Sequence, residues 1–399
     1  MTETAPNTAA GGESAEALRL GRRARASAPR LPSPRRFYAL VAFALLALPM
    51  AVGVLHPDNE EYVYQEGRRL APAPAWPVDL AGWAALPREV DAYVKDRFGL
   101  RHAMIKLHRD LSHPLVMKVN TAALTGRSGR LFYEGNEMLR QSAGQVLRDE
   151  RISETVGLLA EIRDRLAKDG VKFLVTVPPN SSTIYQDDVP YWAQSHGRRT
   201  EYDLFLADLK ARGIKTVDLR PALTEARNEG EVYLMNDAHW TALGAIAGFN
   251  AVAEADGHPD WAIDPKTSLG APAVRKGGDI ARILGIQDEV SETTRPIMLP
   301  EPKTDEALTP GPMPDHVVTT GRPGPTILII GDSYTASYFP LMLAQHVGRA
   351  IWIHHHECGF DWSVVEKFHP DEVWWAPTER FLICDPHVRP LNFPGPAAG

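Results

Sequence analysis

Cysteine is scarce in this chain, and so are the basic residues that mark nucleic-acid-binding proteins. Only two cysteines, Cys358 and Cys384, occur among 399 residues, which excludes a disulfide framework and a four-cysteine zinc site. A single disulfide between them and a pair of free thiols both remain open. The net charge of −7 gives no case for a basic nucleic-acid-binding surface, so we expect no nucleic-acid partner.

The longest run without charge is the apolar stretch Phe37–Leu55. Its length is close to the ~20 residues that a membrane-spanning helix needs. Arginines precede it and an acidic stretch follows it, so the positive-inside rule places segment 1–36 in the cytoplasm. A cleaved signal peptide and a buried helix of a soluble protein are the alternatives, although the run is longer than a typical signal-peptide core.

These features predict a single-pass protein of the cytoplasmic (inner) membrane, with its main body in the periplasm or extracytoplasmic space. We expect a disordered basic segment at 1–36, a transmembrane anchor at 37–55 and an extended proline-rich spacer at 56–87. One folded domain is expected at 88–395, with an insertion at about 257–325 that is rich in proline and glycine.

Helix and strand patterns alternate after about residue 151. Short apolar runs such as VKFLVTVP, TILIIGDS, RAIWIHH and DEVWWAP are typical of strands buried on both faces. ETVGLLAEIRDRLAKDG, TALGAIAGFNAVAEA and TASYFPLMLAQHVG each predict one helix. The alternation predicts an α/β fold with a parallel sheet and helices on both faces. GRSGRLFYEGN predicts a hairpin or short strand, and GGDIARILGI predicts a short helix in the insertion.

Ser333 lies where a predicted strand meets a predicted helix, in TILIIGDSYTASYF. In open α/β sheets, functional sites form at the carboxyl ends of the strands. The free N–H groups and the dipole at the start of a helix favour developing negative charge, as catalysis by a serine nucleophile requires. The alternative is that Ser333 only caps the helix that follows.

His239 is the histidine best placed to activate a serine, because Asp237 precedes it by two residues in NDAHW. An imidazole needs a third group to fix its tautomer, and Asp-x-His can supply that group locally. Trp240 could shield such a site from water. A surface histidine beside a turn-capping Asp237 is one alternative. A metal site is another, although the sequence shows no third ligand nearby. The run His354–His356 is interpreted as a solvated strand end.

Taken together, GDSYTASYF and NDAHW resemble the alginate O-acetyltransferase family, whose members carry an SGNH-hydrolase-like domain. RRLAPAP, KDRFGLRHAMIKL, GRSGRLFY, TVPPNSSTIY, GGDIARILG and PDEVWWAPTERFL extend the resemblance over roughly residues 68–385. It implies a flavodoxin-like parallel sheet flanked by helices and a catalytic triad of Ser333, His239 and Asp237, in an order permuted relative to ordinary SGNH esterases. Family members often have a lysine where this chain has Ser181.

Further site residues are expected from the same motifs. Asn180, Tyr334, Trp240 and Arg380 are candidates for the oxyanion hole or for substrate contact, with a plain turn role as the alternative for Asn180. Trp192, Trp240, Trp374 and Trp375 could stack on sugar rings, although at least one of the last two is expected in the core. We expect no cofactor and no metal.

The resemblance implies an extracytoplasmic O-acetyltransferase that moves acetyl groups onto hydroxyls of an exopolysaccharide through an acetyl-serine intermediate. Its partners would be a polysaccharide acceptor and a membrane-bound acyltransferase that delivers acetyl groups, with attachment to the inner membrane through 37–55. A carbohydrate acetylesterase with the same triad is one alternative, since both reactions share the acyl-enzyme. A non-catalytic polysaccharide-binding or assembly subunit is the other.

Overall fold

The described residues of the chain fall into two units. The computed structural model describes residues 34–55, 73–74, 76–96, 123–356 and 359–383. The first unit carries helix α1, Pro34–Leu55, and helix α2, Leu80–Asp96. The described part of the second unit begins at residue 123 and contains the sheet.

Helix α1 covers the predicted anchor and also takes in residues 34–36, which were predicted to be disordered. Within the described ranges, no helix combines the length and the apolar character that crossing a membrane requires. The anchor therefore stays a prediction. Helix α2 begins at Leu80, inside the predicted spacer, because its first turns are rich in the helix formers Ala and Leu. The disulfide question for Cys358 and Cys384 falls outside the described residues.

The second unit alternates strands and helices, as the sequence predicts. Its first half contains β1 (Ala123–Thr125), β2 (Leu131–Tyr133), α3 (Met138–Ser142), α4 (Asp149–Lys168), β3 (Lys172–Thr176), α5 (Ser181–Ile184), α6 (Glu201–Ala211), β4 (Lys215–Val217), α7 (Arg220–Ala226) and α8 (Ala242–Asp256). Its second half contains α9 (Pro265–Ser268), β5 (Ala273–Lys276), α10 (Asp279–Ile283), β6 (Ser291–Thr294), β7 (Thr304–Ala307), β8 (His316–Thr319), β9 (Thr326–Gly331), α11 (Ser333–Ala336), α12 (Phe339–Leu343), β10 (Arg349–His354), α13 (Trp362–Phe368) and β11 (Glu372–Ala376). Short 3₁₀ turns lie at Gly135–Glu137, Tyr191–Ala193, Pro259–Trp261 and Glu379–Phe381.

The central sheet has seven strands in the order β4-β3-β11-β9-β10-β8-β7. The five strands from β4 to β10 are parallel, as predicted. Strands β8 and β7 are antiparallel additions at one edge, so the sheet is mixed rather than purely parallel. Both come from the insertion, whose polar and exposed β7 segment lacks the apolar pattern that would predict a strand.

Alternate residues of the central strands face two separate layers of helices. Leu174, Ile329 and Trp374 pack in the core with side chains of α8 and α12. Their neighbours along the strands pack on the other face with α4, α6 and α13. This period-two division is what a strand buried on both faces produces. It fixes the sheet as the middle layer of a helix–sheet–helix structure.

Two smaller pieces of the second unit frame the carboxyl end of β9. Strands β1 and β2 form the predicted hairpin, and the N–H of Leu131 donates to the carbonyl of Met235 at 2.8 Å. Strands β5 and β6 form an antiparallel ribbon of the insertion.

The single helix predicted after Ser333 is two short helices, α11 and α12. Pro340 at the start of α12 has no N–H to continue the preceding helix.

Candidate active site

Ser333 is the first residue of α11, directly after the turn that ends β9. Asp332 caps that helix, since its Oδ1 accepts the N–H of Tyr334 at 3.0 Å. Its Oδ2 accepts the N–H and the hydroxyl of Thr378 at 2.9 and 2.7 Å, which ties the turn to the end of β11. A Cβ at Gly331 would clash with Thr335 Oγ1, so any other residue at this turn would force Thr335 to move.

His239 comes from a tight loop that leads into α8. The N–H of Leu234 donates to the carbonyl of His239 at 3.0 Å, and Asp237 Oδ1 accepts the N–H of His239, also at 3.0 Å. Thr241 then caps α8 by accepting the N–H of Gly244 at 3.2 Å. These local bonds hold Asp237 and His239 on one side of the loop, facing the start of α11.

The structure brings the three predicted triad side chains together. Ser333 Oγ lies 2.7 Å from His239 Nε2. His239 Nδ1 lies 2.7 Å from Asp237 Oδ1. If Nδ1 carries the proton and donates to the carboxylate, Nε2 is left as an acceptor for the serine hydroxyl. This is the arrangement in which a serine can be deprotonated as it attacks.

Asp237 is buried but receives several hydrogen bonds besides that of His239. Arg275 of β5 donates to its Oδ2 at 2.6 Å, and the N–H of Asp279 donates to the same oxygen at 3.1 Å. Burial alone would raise the pKa of Asp237, but the hydrogen bond and charge of His239 and the charge of Arg275 hold the pKa well below its ordinary value. Asp237 is therefore an ionised carboxylate in the folded protein.

Arg275 and Asp279 are site residues that the sequence alone did not identify. Asp279 opens α10, and its Oδ2 lies 3.4 Å from His239 Nδ1. Burial opposes a charge on His239, yet its hydrogen bond to Asp237 and the nearby carboxylates of Asp237 and Asp279 keep the pKa of the imidazole well above its ordinary value. GGDIARILG is one of the segments that carry the family resemblance, but nothing in its local pattern assigns a role to the aspartate.

Asp237, His239 and Asp279 also place one potential metal-ligand atom each within 4.8 Å of one another. The third ligand that was not apparent in the sequence thus exists in space. However, the Arg275 guanidinium already binds Asp237, and the N–H groups of Ala238 and Ile280 bind Asp279 Oδ1. These donors suit a hydrogen-bonded carboxylate cluster better than the coordination of a second cation.

Tyr334 and Trp240 lie at the site but support it from within the protein. The Tyr334 hydroxyl donates to the carbonyl of Ala238, and its N–H is bound to Asp332, so both of its donors are occupied. The Trp240 indole N–H donates to the carbonyl of Tyr334 at 2.9 Å. Both side chains are about 1% exposed. Burial and these bonds leave neither side chain a free donor for the oxyanion or the substrate, so both predicted contacts lack support in this arrangement.

Asn180 and Arg380 differ in how well they could meet a substrate. Asn180 is fully buried, and its amide donates to Gln141 Oε1 at 3.3 Å, while its backbone N–H binds Glu379. It links elements under the site. The Arg380 guanidinium is partly exposed and lies 5.3 Å from the centre of the Tyr334 ring. The charge of Arg380 also helps to lower the pKa of Asp332, against the effect of burial.

Two of the surface interpretations need correction. His355 is fully buried and packs on Phe381 at 4.7 Å between ring centres, so the histidine run is not simply a solvated strand end. Trp240, Trp374 and Trp375 are all buried and cannot stack on a sugar. Trp192 is 54% exposed and is the member of that set that a glycan could reach.

Comparison with known proteins places this arrangement in context. Residues 123–384 match the family described as SGNH hydrolase-like domain, acetyltransferase AlgX. The probable alginate O-acetylase AlgJ of Pseudomonas aeruginosa is 27% identical over 160 residues, which are 40% of this chain and 39% of that protein. The AlgJ of Pseudomonas putida is 22% identical over 170 residues, 43% of each chain. The chain thus spans about two fifths of the length of these curated relatives.

The similar solved structures include two proteins of Pseudomonas. The O-acetyltransferase domain of Pseudomonas putida AlgJ has a TM-score of 0.45 and 18% sequence identity, and the match covers 66% of this chain and 92% of that domain. Pseudomonas aeruginosa AlgX has a TM-score of 0.42 and 18% identity, with 64% of this chain and 62% of that chain covered.

Proposed function

The chain belongs to the family of SGNH hydrolase-like domains of the AlgX acetyltransferase type, and from this premise we propose that it is an O-acetyltransferase acting on an exopolysaccharide. The family membership confirms the resemblance that the two motifs carry. The observation that supports the proposed activity is the hydrogen-bonded series from Ser333 Oγ through His239 to Asp237, with 2.7 Å at each step. The similar AlgJ proteins are probable alginate O-acetylases, and an anionic or neutral exopolysaccharide is the acceptor class that we propose here.

In the first half of the reaction, Ser333 Oγ attacks the carbonyl carbon of a donor acetyl ester or thioester. His239 Nε2 takes the hydroxyl proton as the new C–O bond forms, and Asp237 stabilises the resulting imidazolium. The tetrahedral intermediate then collapses, and His239 returns the proton to the departing alcohol or thiol. The product of this half-reaction is an acetyl ester on Ser333.

In the second half, a sugar hydroxyl attacks the acetyl-serine. His239 removes the proton of that hydroxyl and passes it to Ser333 Oγ as the acyl bond to the serine breaks. The N–H of Ser333 lies in the first turn of α11, where backbone N–H groups have no partner inside the helix. We propose that it is one donor to the oxyanion in both halves.

Transfer and hydrolysis differ only in the molecule that resolves the acyl-enzyme. We propose an uncleaved anchor at 37–55, supported by the uncharged run and the flanking charges. The site would then lie outside the cytoplasm, where acetyl-CoA should be absent, so the donor would be a membrane-bound acyltransferase beside the anchor. The partly exposed Arg380 and the exposed Trp192 are the predicted substrate contacts that this proposal retains.

Ser333 is the proposed nucleophile, and its replacement gives a direct test. Ser333→Ala should lower acetyl release from a chromogenic acetate ester by at least about 10³-fold, because the attacking oxygen is lost. Ser337→Ala is the matched control, since Ser337 is exposed and four residues along the same segment; it should retain wild-type rates. Persistence of hydrolysis in Ser333→Ala would show that another residue is the nucleophile.

Acetyl transfer is tested with an acetyl donor and an oligosaccharide, followed by mass spectrometry of the sugar. Gain of acetyl on the sugar, lost in Ser333→Ala, supports the transferase. Release of free acetate alone would instead identify an acetylesterase. Glycan binding by both proteins without any acetyl release would identify a non-catalytic binding subunit.

A further inference from the structure

His239 has a second carboxylate neighbour besides the one that the Asp-x-His pattern supplies. Asp279 arrives from α10 in the insertion, and its Oδ2 lies 3.4 Å from His239 Nδ1. Asp237 Oδ1 lies 2.7 Å from the same nitrogen. One imidazole nitrogen therefore faces two carboxylate oxygens that come from segments 42 residues apart.

The two oxygens of Asp279 have different surroundings. Oδ1 accepts the N–H of Ala238 at 2.7 Å and the N–H of Ile280 at 2.6 Å. These bonds fix the carboxylate between α10 and the loop that carries His239. They also direct Oδ2 towards the imidazole, so the placement of a charge there does not depend on a free side-chain rotamer.

We propose that Asp279 is a positioning residue of the reaction: its Oδ2 is a second acceptor for the His239 Nδ1–H and shares with Asp237 the stabilisation of the imidazolium formed when Ser333 is deprotonated. This inference rests on the proposed function and assigns to the insertion a direct part in the chemistry. The carboxylate set would then be a pair around one imidazole rather than a single orienting aspartate.

The two carboxylates beside His239 differ in the charges that surround them. Arg275 binds Asp237 Oδ2 at 2.6 Å and lies 3.4 Å from Glu292 of β6, so part of the negative charge on Asp237 is neutralised. Asp279 has no such cation among the ion pairs of the described residues. From α11, His239 faces the Ser333 hydroxyl and the ring of Tyr334, 5.0 Å away between ring centres. Neither group adds a charge at neutral pH, since the pKa of Tyr334 is raised by burial.

Asp279 thus adds to the field of Asp237 that stabilises the protonated imidazole. Burial and repulsion from Asp237 raise the pKa of Asp279 itself, while the contact with His239 acts against them. At a pH where both carboxylates are ionised, removal of the Asp279 charge must lower the pKa of His239. An opposite charge at this range shifts a pKa by roughly 1 to 3 units.

Asp279→Asn tests this directly, because asparagine keeps an oxygen for the N–H groups of Ala238 and Ile280 and removes the charge. The full chain is labelled at histidine 13Cε1, and the His239 signal is identified by its loss in His239→Gln. We expect the pH midpoint of that signal to fall by roughly one to three units in Asp279→Asn. Asp288→Asn, an exposed aspartate of the same insertion, should leave the midpoint unchanged. This measurement does not depend on activity, so it stands even if the proposed reaction is wrong.

The rate of acetate-ester hydrolysis gives the functional part of the test. In Asp279→Asn the rising limb of the pH profile should move to lower pH, because the neutral imidazole forms sooner. The plateau should fall about tenfold, because the imidazolium is less stabilised in the transition state. On the rising limb the variant should therefore match the wild type when the midpoint falls by one unit and exceed it when the midpoint falls further, whereas a merely structural defect would lower the rate at every pH.

A double variant tests whether Asp237 and Asp279 share the Nδ1–H of His239. Asp237→Ala leaves Asp279 as the remaining carboxylate acceptor, so Asp279→Asn should cost several-fold more in that background than in the wild type. Equal losses in both backgrounds, or an unchanged His239 midpoint in Asp279→Asn, would overturn the proposal. A wild-type protein that titrates as expected but releases no acetyl would contradict the proposed function and leave the pairing of Asp279 with His239 standing.

Discussion

Asp237 combines two properties that are hard to reconcile in a single side chain, because it is buried and yet carries a charge. The residue is about 3% exposed, and an isolated buried carboxylate would take up a proton. Arg275 compensates the buried negative charge of Asp237 through a 2.6 Å contact to its Oδ2. The ion pair keeps Asp237 able to accept the Nδ1–H of His239, which is the condition for the neutral imidazole to have its free nitrogen on the serine side.

Replacement of Arg275 should therefore lower the activity without changing any of the three triad residues. In Arg275→Gln, we expect the pKa of Asp237 to rise and kcat/KM for a small acetate ester to fall by about ten- to a hundredfold, because the orienting carboxylate loses its cation. Arg275→Lys should recover part of the loss. Arg282→Gln, in the adjacent helix α10, is the control and should retain wild-type rates. A wild-type kcat/KM in Arg275→Gln would show that Asp237 needs no cation.

Among the structural elements, the sequence predicts best the strands and loops that are defined by residues close together along the chain. TILIIGDS and DEVWWAP each contain a run of consecutive buried apolar residues, 327–330 and 373–376, so their strands β9 and β11 could be located directly. Asp237 and His239 lie two residues apart, and the bonds that orient them are formed within one loop. The expectation that these side chains approach Ser333 came from the resemblance to the alginate O-acetyltransferase family, because the residues alone left a surface histidine as an alternative.

The insertion could not be predicted in the same way. Strands β5, β6 and β7 are mostly exposed or half-buried, so they lack the apolar period that reveals a strand. Arg275 and Asp279 reach the triad through a ribbon and a one-turn helix, and no local pattern records that approach. Asp332 and Thr378 likewise meet only because β9 and β11 are neighbours in the sheet.

The turn from β9 to α11 is tight enough to give an element-scale prediction. In Gly331→Ala the added methyl would meet Thr335 Oγ1 at 2.1 Å. That oxygen is held by bonds to the Trp352 indole and the Asp332 carbonyl. We expect a loss of about 1–3 kcal/mol in the free energy of unfolding, as for other overpacked sites, measured by urea denaturation.

The cause of that loss can be isolated with a second substitution. Thr335→Ala removes the obstructing oxygen, so the double variant should be less destabilised than the sum of the two single variants. Gly157→Ala in α4 is the control, because its nearest neighbour lies 3.6 Å away; it should stabilise the protein by about 0.5–1 kcal/mol. Strict additivity of the Gly331 and Thr335 variants would exclude the steric explanation.

At the scale of the second unit, the two ends of the sheet carry buried carboxyl groups with different roles. The triad and Asp279 lie at the carboxyl end of the parallel strands. At the amino end, Glu372 opens β11 and is about 2% exposed, while Asp256 closes α8 and forms an ion pair with Lys215. Burial, together with the hydrogen bond to Asp256 and its charge, raises the pKa of Glu372 to about 8. Glu372 is therefore protonated in the folded protein at neutral pH.

The raised pKa makes the stability of the protein fall as the pH rises. In the unfolded chain Glu372 loses its proton near its ordinary pKa of 4.5, whereas the folded protein keeps the proton up to about 8. Between these values the folded state binds more protons, so this group lowers the free energy of unfolding by at most ~1.4 kcal/mol per pH unit. Above pH 8 its contribution becomes constant. Glu379, whose pKa burial raises to about 7, contributes with the same sign over a narrower window.

Glu372→Gln should remove this part of the pH dependence. Glutamine retains an oxygen for the Trp374 indole N–H, which Glu372 Oε1 accepts at 3.2 Å, and it can donate to Asp256 without a titrating proton. Urea denaturation of the full chain at intervals between pH 5 and 9 should give a flatter decline in the free energy of unfolding for Glu372→Gln than for the wild type. The exposed Glu366 of α13 provides the matched control, Glu366→Gln, which should keep the wild-type slope. Parallel slopes for Glu372→Gln and the wild type would show that Glu372 is ionised in the folded protein, and the pairing with Asp256 would then have to depend on Lys215 alone.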